Sequence, residues 1–412
     1  MAIAVFGLGF VGLTTALGFA HYGQTVYGVD TDRERTALLA KGKLPFLEKG
    51  LDDALKDNLG KRFFLADRAE DAVKNSSVVF YCVGTPCGEN GEADLSYLFS
   101  AIDRTLENLG GEKKLLVVKS TVPPATAAER VIPYIESKGL RVGRDVSVAN
   151  NPEFLREGHC WDDFVHPDRI VFGCSDPEGA GLLEELYRPF RAPVFPVTLN
   201  TAEFVKYLSN SFLAAMISYS NEMSMVAKKF GGIDLPKAFR IFHMDKRWGG
   251  CGMTAYAYPG CGYGGYCLPK DTDALLAAAK SRGAEPAILE DVVRTNEKMP
   301  AWIASRIAAR AAPSDKIGVL GLSFKPQSDD VRDCAPAKII RELLGLGYRR
   351  LIGYDPVASE AFRKQYALPI AYAGSLAEIC GGADVLAILT AWPEFGPLKE
   401  NKGLKILDFR YM

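Results

Sequence analysis

Cys267 lies in the run Gly264-Gly-Tyr-Cys-Leu-Pro-Lys-Asp271, a thiol set between backbone-permissive glycines and a Lys-Asp pair. Near the other end of the chain, Gly7-x-Gly9-x-x-Gly12 stands between an apolar run and a helical pattern, and Asp30 comes eighteen residues after Gly12. That spacing is a dinucleotide cradle: the first glycine permits a tight turn, the second lets a pyrophosphate approach the backbone, and the third lets helix pack on strand. The phosphates then meet the positive end of the helix, with Phe10 and Val11 counted among the cofactor contacts. Asp30 would accept from ribose hydroxyls and repel a 2′-phosphate, which favours NAD over NADP. Arg33 and Arg35 are expected to stack on adenine or to be solvated. A nucleophilic sulfur in a chain that also holds a hydride acceptor suits a product that goes on from aldehyde to acid, because a thiohemiacetal offers a second hydride.

Further polar groups stand where bland loops would not need them. Gly84 and Thr85, in Cys82-Val-Gly-Thr-Pro86, and Thr121, in Lys119-Ser-Thr-Val-Pro123, each come directly after a buried strand, where an open α/β sheet places its ligand crevice. Asn151-Pro-Glu-Phe-Leu-Arg-Glu-Gly158 sets Glu153 and Glu157 four residues apart, on one face if helical. Lys206 and Asn210 have the same spacing in a long helical pattern. Taken singly, each pair would be a solvated helix face and most cysteines small buried hydrophobes. Their arrival together with Cys267 reverses that reading. Cys261, six residues upstream of Cys267, leaves a regulatory disulfide open.

These motifs together resemble the UDP-glucose/GDP-mannose dehydrogenase family over essentially the whole chain. They are Gly7-Leu-Gly-Phe-Val-Gly-Leu13, Lys119-Ser-Thr-Val-Pro123, Asn151 to Gly158 and Gly262-Tyr-Gly-Gly-Tyr-Cys-Leu-Pro-Lys-Asp271. The resemblance implies NAD-dependent four-electron oxidation of the C6 alcohol of a nucleotide sugar to a carboxylate. His166-Pro-Asp-Arg-Ile-Val171 and the form of the cysteine loop are most similar to the UDP-glucose branch, with GDP-mannose or a UDP-aminosugar as alternatives.

By the same resemblance Cys267 is the nucleophile and Lys206 stabilises oxyanion charge. Glu153, with Thr121, Asn210 and Asp271, positions and deprotonates water. Glu157 contacts cofactor or substrate, Lys270 lies near the thiol, and Arg332 reaches the NAD pyrophosphate. Phe154, Leu155, Tyr263, Gly264, Phe324, Lys325 and Arg410 contact the nucleotide sugar. Arg247 crosses from one subunit into the other's sugar site, which implies a homodimer or higher homo-oligomer. The stretch Trp248 to Cys261 departs from the family pattern, so the sugar is less determined than the chemistry. A two-electron dehydrogenase of the 6-phosphogluconate type would not need Cys267. A nucleotide sensor would not need the Lys206, Glu153 and Cys267 set.

The elements that must position these groups alternate. Ala2 to Phe6 reads as a buried strand, Val11 to Tyr22 as a helix and Thr25 to Val29 as a strand, and further short β-rich runs begin at Val78, Leu115, Asp145 and Arg169. Thr201 to Phe230 is one long amphipathic pattern (Phe204, Leu208, Phe212, Ala215, Tyr219) stopped by Gly231-Gly232, suited to a spine between domains and to a dimer axis. After Pro313-Ser314 the alternation restarts at Ile317, Arg350, Val385 and Leu404. The expected fold is therefore α/β, with two Rossmann-like doubly wound parallel-sheet domains joined by a long central helix and a helical middle domain. The expected division is 1–197 for NAD, 198–311 for the helical dimerisation part with the catalytic Lys and Cys, and 312–412 for the UDP-sugar.

Composition removes other classes. The 412 residues carry 49 Lys plus Arg against 50 Asp plus Glu, a net charge of −1, which points away from nucleic acid and anionic membranes. Nine cysteines, an odd and scattered number, fit a reducing cytoplasm. The four histidines form no spaced ligand set with them, so no metal is expected. Met1 to Val29 has no charged residue, but it lacks a basic start and its glycines break the apolar run, so it reads as strand and helix rather than a targeting segment.

Overall fold

The structure, a computed structural model, describes residues 1–246, 256–401 and 403–411. The chain divides into two compact units, Met1–Leu208 and Ser209–Met412.

The first unit is built on an eight-stranded sheet of β1 (Ala2–Phe6), β2 (Thr25–Val29), β3 (Phe63–Leu65), β4 (Val78–Tyr81), β5 (Lys114–Val118), β6 (Val146–Asn150), β7 (Ile170–Cys174) and β8 (Val194–Val197). The strand order is β3-β2-β1-β4-β5-β6-β7-β8. All pairs are parallel except β6–β7, which runs antiparallel through Ala149↔Cys174 and Asn150↔Gly173. The central strands β1, β4, β5 and β6 are buried almost throughout, which is why they read as unbroken apolar runs rather than alternating ones. The short strands β3 (Phe-Phe-Leu) and β8 (Val-Phe-Pro-Val) at the two edges are apolar too but less buried.

The second unit holds a five-stranded, wholly parallel sheet of β9 (Ile317–Leu320), β10 (Leu351–Tyr354), β11 (Ala371–Tyr372), β12 (Val385–Ile388) and β13 (Ile406–Asp408), in the order β11-β10-β9-β12-β13. The helices Leu235–His243, Cys267–Ser281 and Ala287–Ala308 precede it in the chain. The α/β class with two Rossmann-like sheets and a helical middle is thus observed.

The two sheets repeat one device. In the first, Gly7 turns out of β1 at φ +85°, and the N–H of Leu8 donates to Asp30 Oδ2 at 2.6 Å. In the second, Gly321 turns out of β9 at φ +90°, and the N–H of Leu322 donates to Asp355 Oδ2 at 2.8 Å. A left-handed φ is what glycine tolerates at no cost. The two copies differ in the partners of the carboxylate, because Asp355 also accepts from Ser323 and from the Trp392 indole, which seal it.

The helix Leu199–Phe230 runs for 32 residues and begins in the first unit. Along it Phe204, Leu208, Phe212 and Tyr219 are 46–59% exposed, and Phe230 is 79% exposed. The reason is geometric: the helix buries the stripe that carries Ala202, Lys206 and Asn210, so the aromatic stripe faces outward. No helix among the described residues is long and apolar enough to cross a membrane.

Candidate active site

In the first unit the cofactor cradle is built from close approach. A Cβ on Gly12 would lie 1.7 Å from the Gly7 carbonyl oxygen, and one on Gly7 would lie 2.8 Å from that of Cys82. A Cβ on Gly9 would meet nothing within 4 Å, which leaves an open face where a pyrophosphate can reach backbone amides at the start of the helix Phe10–His21. Asp30, at the end of β2, accepts from the N–H groups of Leu8 and Asp32 and from Arg35. Arg35 is ion-paired to Asp30 at 2.8 Å and to Asp32 at 3.2 Å. Phe10 stacks on Phe46 with ring centroids 3.9 Å apart. The residues present therefore fit NAD: cradle, helix start and ribose carboxylate stand in one register.

Around the carboxyl ends of β4, β5 and β6 lies a buried polar group. Glu153 Oε1 is 2.9 Å from Lys206 Nζ, and both side chains are 6% exposed. Glu153 Oε2 also accepts from the Leu155 N–H at 2.6 Å. Burial pushes the Glu153 carboxyl up, but the Lys206 ammonium, the Leu155 N–H and the Lys119 charge outweigh it and hold it below its ordinary range. It is therefore ionised at neutral pH. The Lys206 ammonium also lies 5.7 Å from the centre of the Phe154 ring, and the Arg169 guanidinium covers that ring at 4.0 Å.

Glu153 and Glu157 do not share a helical face, because Asn151–Arg156 is an irregular loop. Pro152 at its start disfavours helix for the residue before it. Glu153 is buried and Glu157 half-buried. Thr121 is half-buried, and its carbonyl accepts from Thr85 Oγ1 at 3.0 Å, so these two expected residues adjoin. Gly84 is exposed on the same loop.

Lys119 has no role assigned from sequence, yet it is 3% exposed and donates to Asn151 Oδ1 at 3.0 Å. Burial draws it down to about 8, and its charge bears on Glu153. A lysine directly after a fully apolar strand is the signal that could have found it.

In the second unit Cys267 is the first residue of the helix Cys267–Ser281 and is exposed. A helix N-terminus is where a thiolate is favoured. Lys270, one turn on, donates to Asp271 and feels the Cys267 charge: burial pulls its pKa down, but Asp271 and Cys267 outweigh burial and raise it. Asp271, 1% exposed, accepts from Asn210 Nδ2 at 2.6 Å. The expected set Asn210, Lys270 and Asp271 thus stands together beside the thiol's helix turn.

The glycines before Cys267 allow a close approach. A Cβ on Gly264 would lie 2.5 Å from the Asp333 carbonyl oxygen, and one on Gly265, at φ +80°, would lie 3.0 Å from the Phe324 ring. The N–H of Gly265 donates to the Arg332 carbonyl at 3.1 Å, and the Arg332 guanidinium covers the Tyr266 ring at 4.5 Å. The cysteine loop is therefore seated on the loop after β9, with Lys325 over Phe324.

Tyr263 is buried, and Asn296 bonds its backbone on both sides. Arg410 lies against Gly260, and its buried Nε has no partner among the described residues, a donor left for an anionic group. Cys261 is a buried free thiol pushed up to about 11 by burial. Arg247 lies outside the described residues, as does much of the stretch from Trp248.

A glycine cradle on one doubly wound sheet and a thiol at a helix start in the other unit place the protein among NAD-dependent oxidoreductases. Comparison with known proteins narrows this. Models of the UDP-glucose/GDP-mannose dehydrogenase family match as the NAD binding domain over residues 1–191, the central domain over 200–298 and the UDP binding domain over 318–412. The chain belongs to this family. It is 36% identical over 410 residues to a UDP-glucose 6-dehydrogenase of Haloferax volcanii, covering 97% of this chain and 94% of the relative. Among solved structures, a UDP-glucose dehydrogenase from Pyrobaculum islandicum superposes with a TM-score of 0.91 at 37% identity, covering 100% of this chain and 94% of that one. A UDP-D-ManNAc dehydrogenase from Pyrococcus horikoshii gives 0.86 at 32% identity, covering 100% and 95%.

Proposed function

We propose that the protein is a UDP-glucose 6-dehydrogenase, converting UDP-glucose, two NAD and one water to UDP-glucuronate and two NADH. The observation that carries the four-electron reading is the exposed Cys267 at its helix start, a group that a two-electron alcohol oxidation does not need. NAD, held at Gly7, Gly9, Gly12 and Asp30, supplies the hydride acceptor when bound. Contacts from Gly84, Thr85, Thr121, Glu157, Lys270 and Arg332 to the cofactor belong to the same proposal.

The chain's own groups then have separable tasks. Lys206 opposes negative charge on the C6 oxygen as the alcohol loses its proton. Loss of a first hydride from C6 to NAD leaves the aldehyde; the Cys267 sulfur bonds to that carbon, giving a thiohemiacetal, and loss of a second hydride to NAD leaves a thioester. Glu153 takes a proton from the water that attacks the thioester. The C–S bond breaks, and the thiolate returns. Thr121, Asn210 and Asp271 position that water with Glu153. Phe154, Leu155, Tyr263, Gly264, Phe324, Lys325 and Arg410 hold the nucleotide sugar; the buried Arg410 Nε, without a partner among the described residues, supports this.

A homodimer built on the long helix is part of the proposal. The bare stripe of Phe204, Leu208, Phe212 and Tyr219 supports it, since large exposed apolar stripes mark interfaces. In such a dimer Arg247 would come from the partner. The division at 1–197, 198–311 and 312–412, and a cytoplasmic location suited to free thiols, complete it.

The test is NADH formed per UDP-glucose, in wild type and Cys267→Ser. Two NADH per sugar, lost in the variant, support the covalent route; one NADH with the thiol dispensable refutes it. The likeness to the Pyrococcus UDP-D-ManNAc enzyme favours a second reading, the same chemistry on a UDP-aminosugar. A panel of UDP-glucose, UDP-aminosugars and GDP-mannose separates them by kcat/KM.

A further inference from the structure

The Lys119 to Ala127 segment, which carries Thr121, is anchored at its front. Ser120 Oγ donates to the Val83 carbonyl at 2.6 Å, and Thr85 Oγ1 donates to that of Thr121 at 3.0 Å. At its rear the chain takes an uncommon path. Ala125 has φ +74°, a left-handed conformation adopted without glycine, which is strained for a residue with a Cβ. The next residues wind as a π-helical turn, Ala127–Val131, that passes into the helix Ile132–Ser137.

What holds this turn comes from the long helix. Glu203 is 1% exposed, and its Oε1 accepts from the Ala127 N–H at 2.8 Å. The amides of Ala125 and Thr126 also act on it. Its Oε2 has no partner among the described residues. A carboxylate set against the first N–H groups of a helical turn gains charge-assisted bonds and the favourable end of the dipole. Glu203 stands three residues before Lys206, so the helix that presents the ammonium also grips the segment that presents Thr121.

We propose that Glu203 is a positioning residue for the reaction: its carboxylate ties the Thr121-bearing segment to the helix of Lys206 and so fixes the separation of hydroxyl and ammonium. The inference rests on the roles proposed above for Thr121 and Lys206. Without the tie, Ala125 relaxes from its left-handed path and the rear of the segment drifts. A misplacement of about 1 Å costs on the order of a hundredfold in rate.

Protonation weakens the tie, because a neutral acid accepts less strongly from the Ala127 N–H than a carboxylate does. Burial raises Glu203 to about 7. Charged groups nearest to it along these elements are Glu129 and Arg130 on the helical turn, Lys119 at the head of the segment and Lys206 on its own helix, with Glu136, Glu222, Lys228 and Lys229 further along them. Of these, Glu129 pushes it further up.

The test compares wild type, Glu203→Gln and Glu203→Ala as full-length enzymes with UDP-glucose and NAD from pH 5.5 to 9. The Gln variant keeps an acceptor oxygen but cannot ionise; the Ala variant has neither. The expected result is a kcat about tenfold to a hundredfold lower for Ala, with KM for UDP-glucose within about twofold of wild type. The Gln variant is expected to match wild type near pH 6 and to fall behind it above pH 7. An Ala variant within twofold of wild type in kcat, or superimposable profiles for Gln and wild type, overturns the proposal. Amide hydrogen exchange at residues 121–127, read without substrate, separates this from failure of the functional reading. Faster exchange in the Ala variant supports the tie whatever the substrate proves to be, and unchanged protection overturns it. If the Ala variant does not fold, the Gln profile and its exchange decide.

Discussion

Glu153 and Lys206 meet at 2.9 Å with only 6% of either side chain exposed, although 53 residues separate them in the chain. An ion pair this dry is held by geometry, and removing one partner strands the other's charge. Lys206→Ala or Glu153→Ala is expected to cost about 3–5 kcal/mol of stability, while Glu153→Gln with Lys206→Met together cost much less. Activity is lost in all of them. Thermal unfolding beside turnover reads this, and a double variant as unstable as the singles would contradict the coupling.

Two buried glutamates give opposite pH signatures. Glu153 is held below its ordinary value of 4.5, so the stability it contributes is present above that pH and is lost as pH falls below it. Glu203 is raised from 4.5 to about 7. The fold then holds its proton more tightly than the unfolded chain, and stability declines as pH rises from 4.5 toward 7, by on the order of 3 kcal/mol. Denaturant unfolding of Glu203→Gln between pH 5 and 7.5 is expected to show a flatter profile than wild type; an unchanged slope counts against the assignment.

With Glu153 as the base proposed for thioester hydrolysis, Glu153→Gln is expected to accumulate the acyl group on Cys267. Intact-protein mass spectrometry after mixing with UDP-glucose and NAD should show a covalent adduct, absent when Cys267→Ser is added. An adduct that survives the loss of Cys267 would point to another nucleophile.

The cysteine loop is seated by glycines. In Gly264→Ala the new Cβ would lie 2.5 Å from the Asp333 carbonyl oxygen, forcing the loop off the segment after β9. Overpacking of this kind costs about 1–3 kcal/mol, and KM for the nucleotide sugar should rise with it. Wild-type KM in a folded Ala variant would show that the loop's seat does not shape the substrate site.

Leu208 and Phe212, 54% and 56% exposed in the single chain, are expected to be covered by a second copy. Leu208→Asp with Phe212→Asp should move the protein from dimer to monomer in sedimentation or light scattering. A wild type that is monomeric at assay concentration overturns the dimer.

Much of this fold is readable without coordinates, for a local reason. Strands β1 and β2 are legible to the residue and the long helix to within two residues at its start, because burial on both faces writes an apolar run and a helix writes its period. Gly231 and Gly232, both at positive φ, stop that helix where expected. The cradle at Gly7 to Asp30 is legible because a tight turn and a close helix admit no side chain. The features hidden from the sequence depend on groups far apart in the chain: the antiparallel β6–β7 pair, the loop that parts Glu153 from Glu157, the Lys119 ammonium behind them, and Glu203 on Ala127. Residue type and spacing name the chemistry a chain can do. Which buried acid faces which cation or amide is settled by how sheet and helix pack, since burial there leaves each polar group only the partners that packing brings within reach.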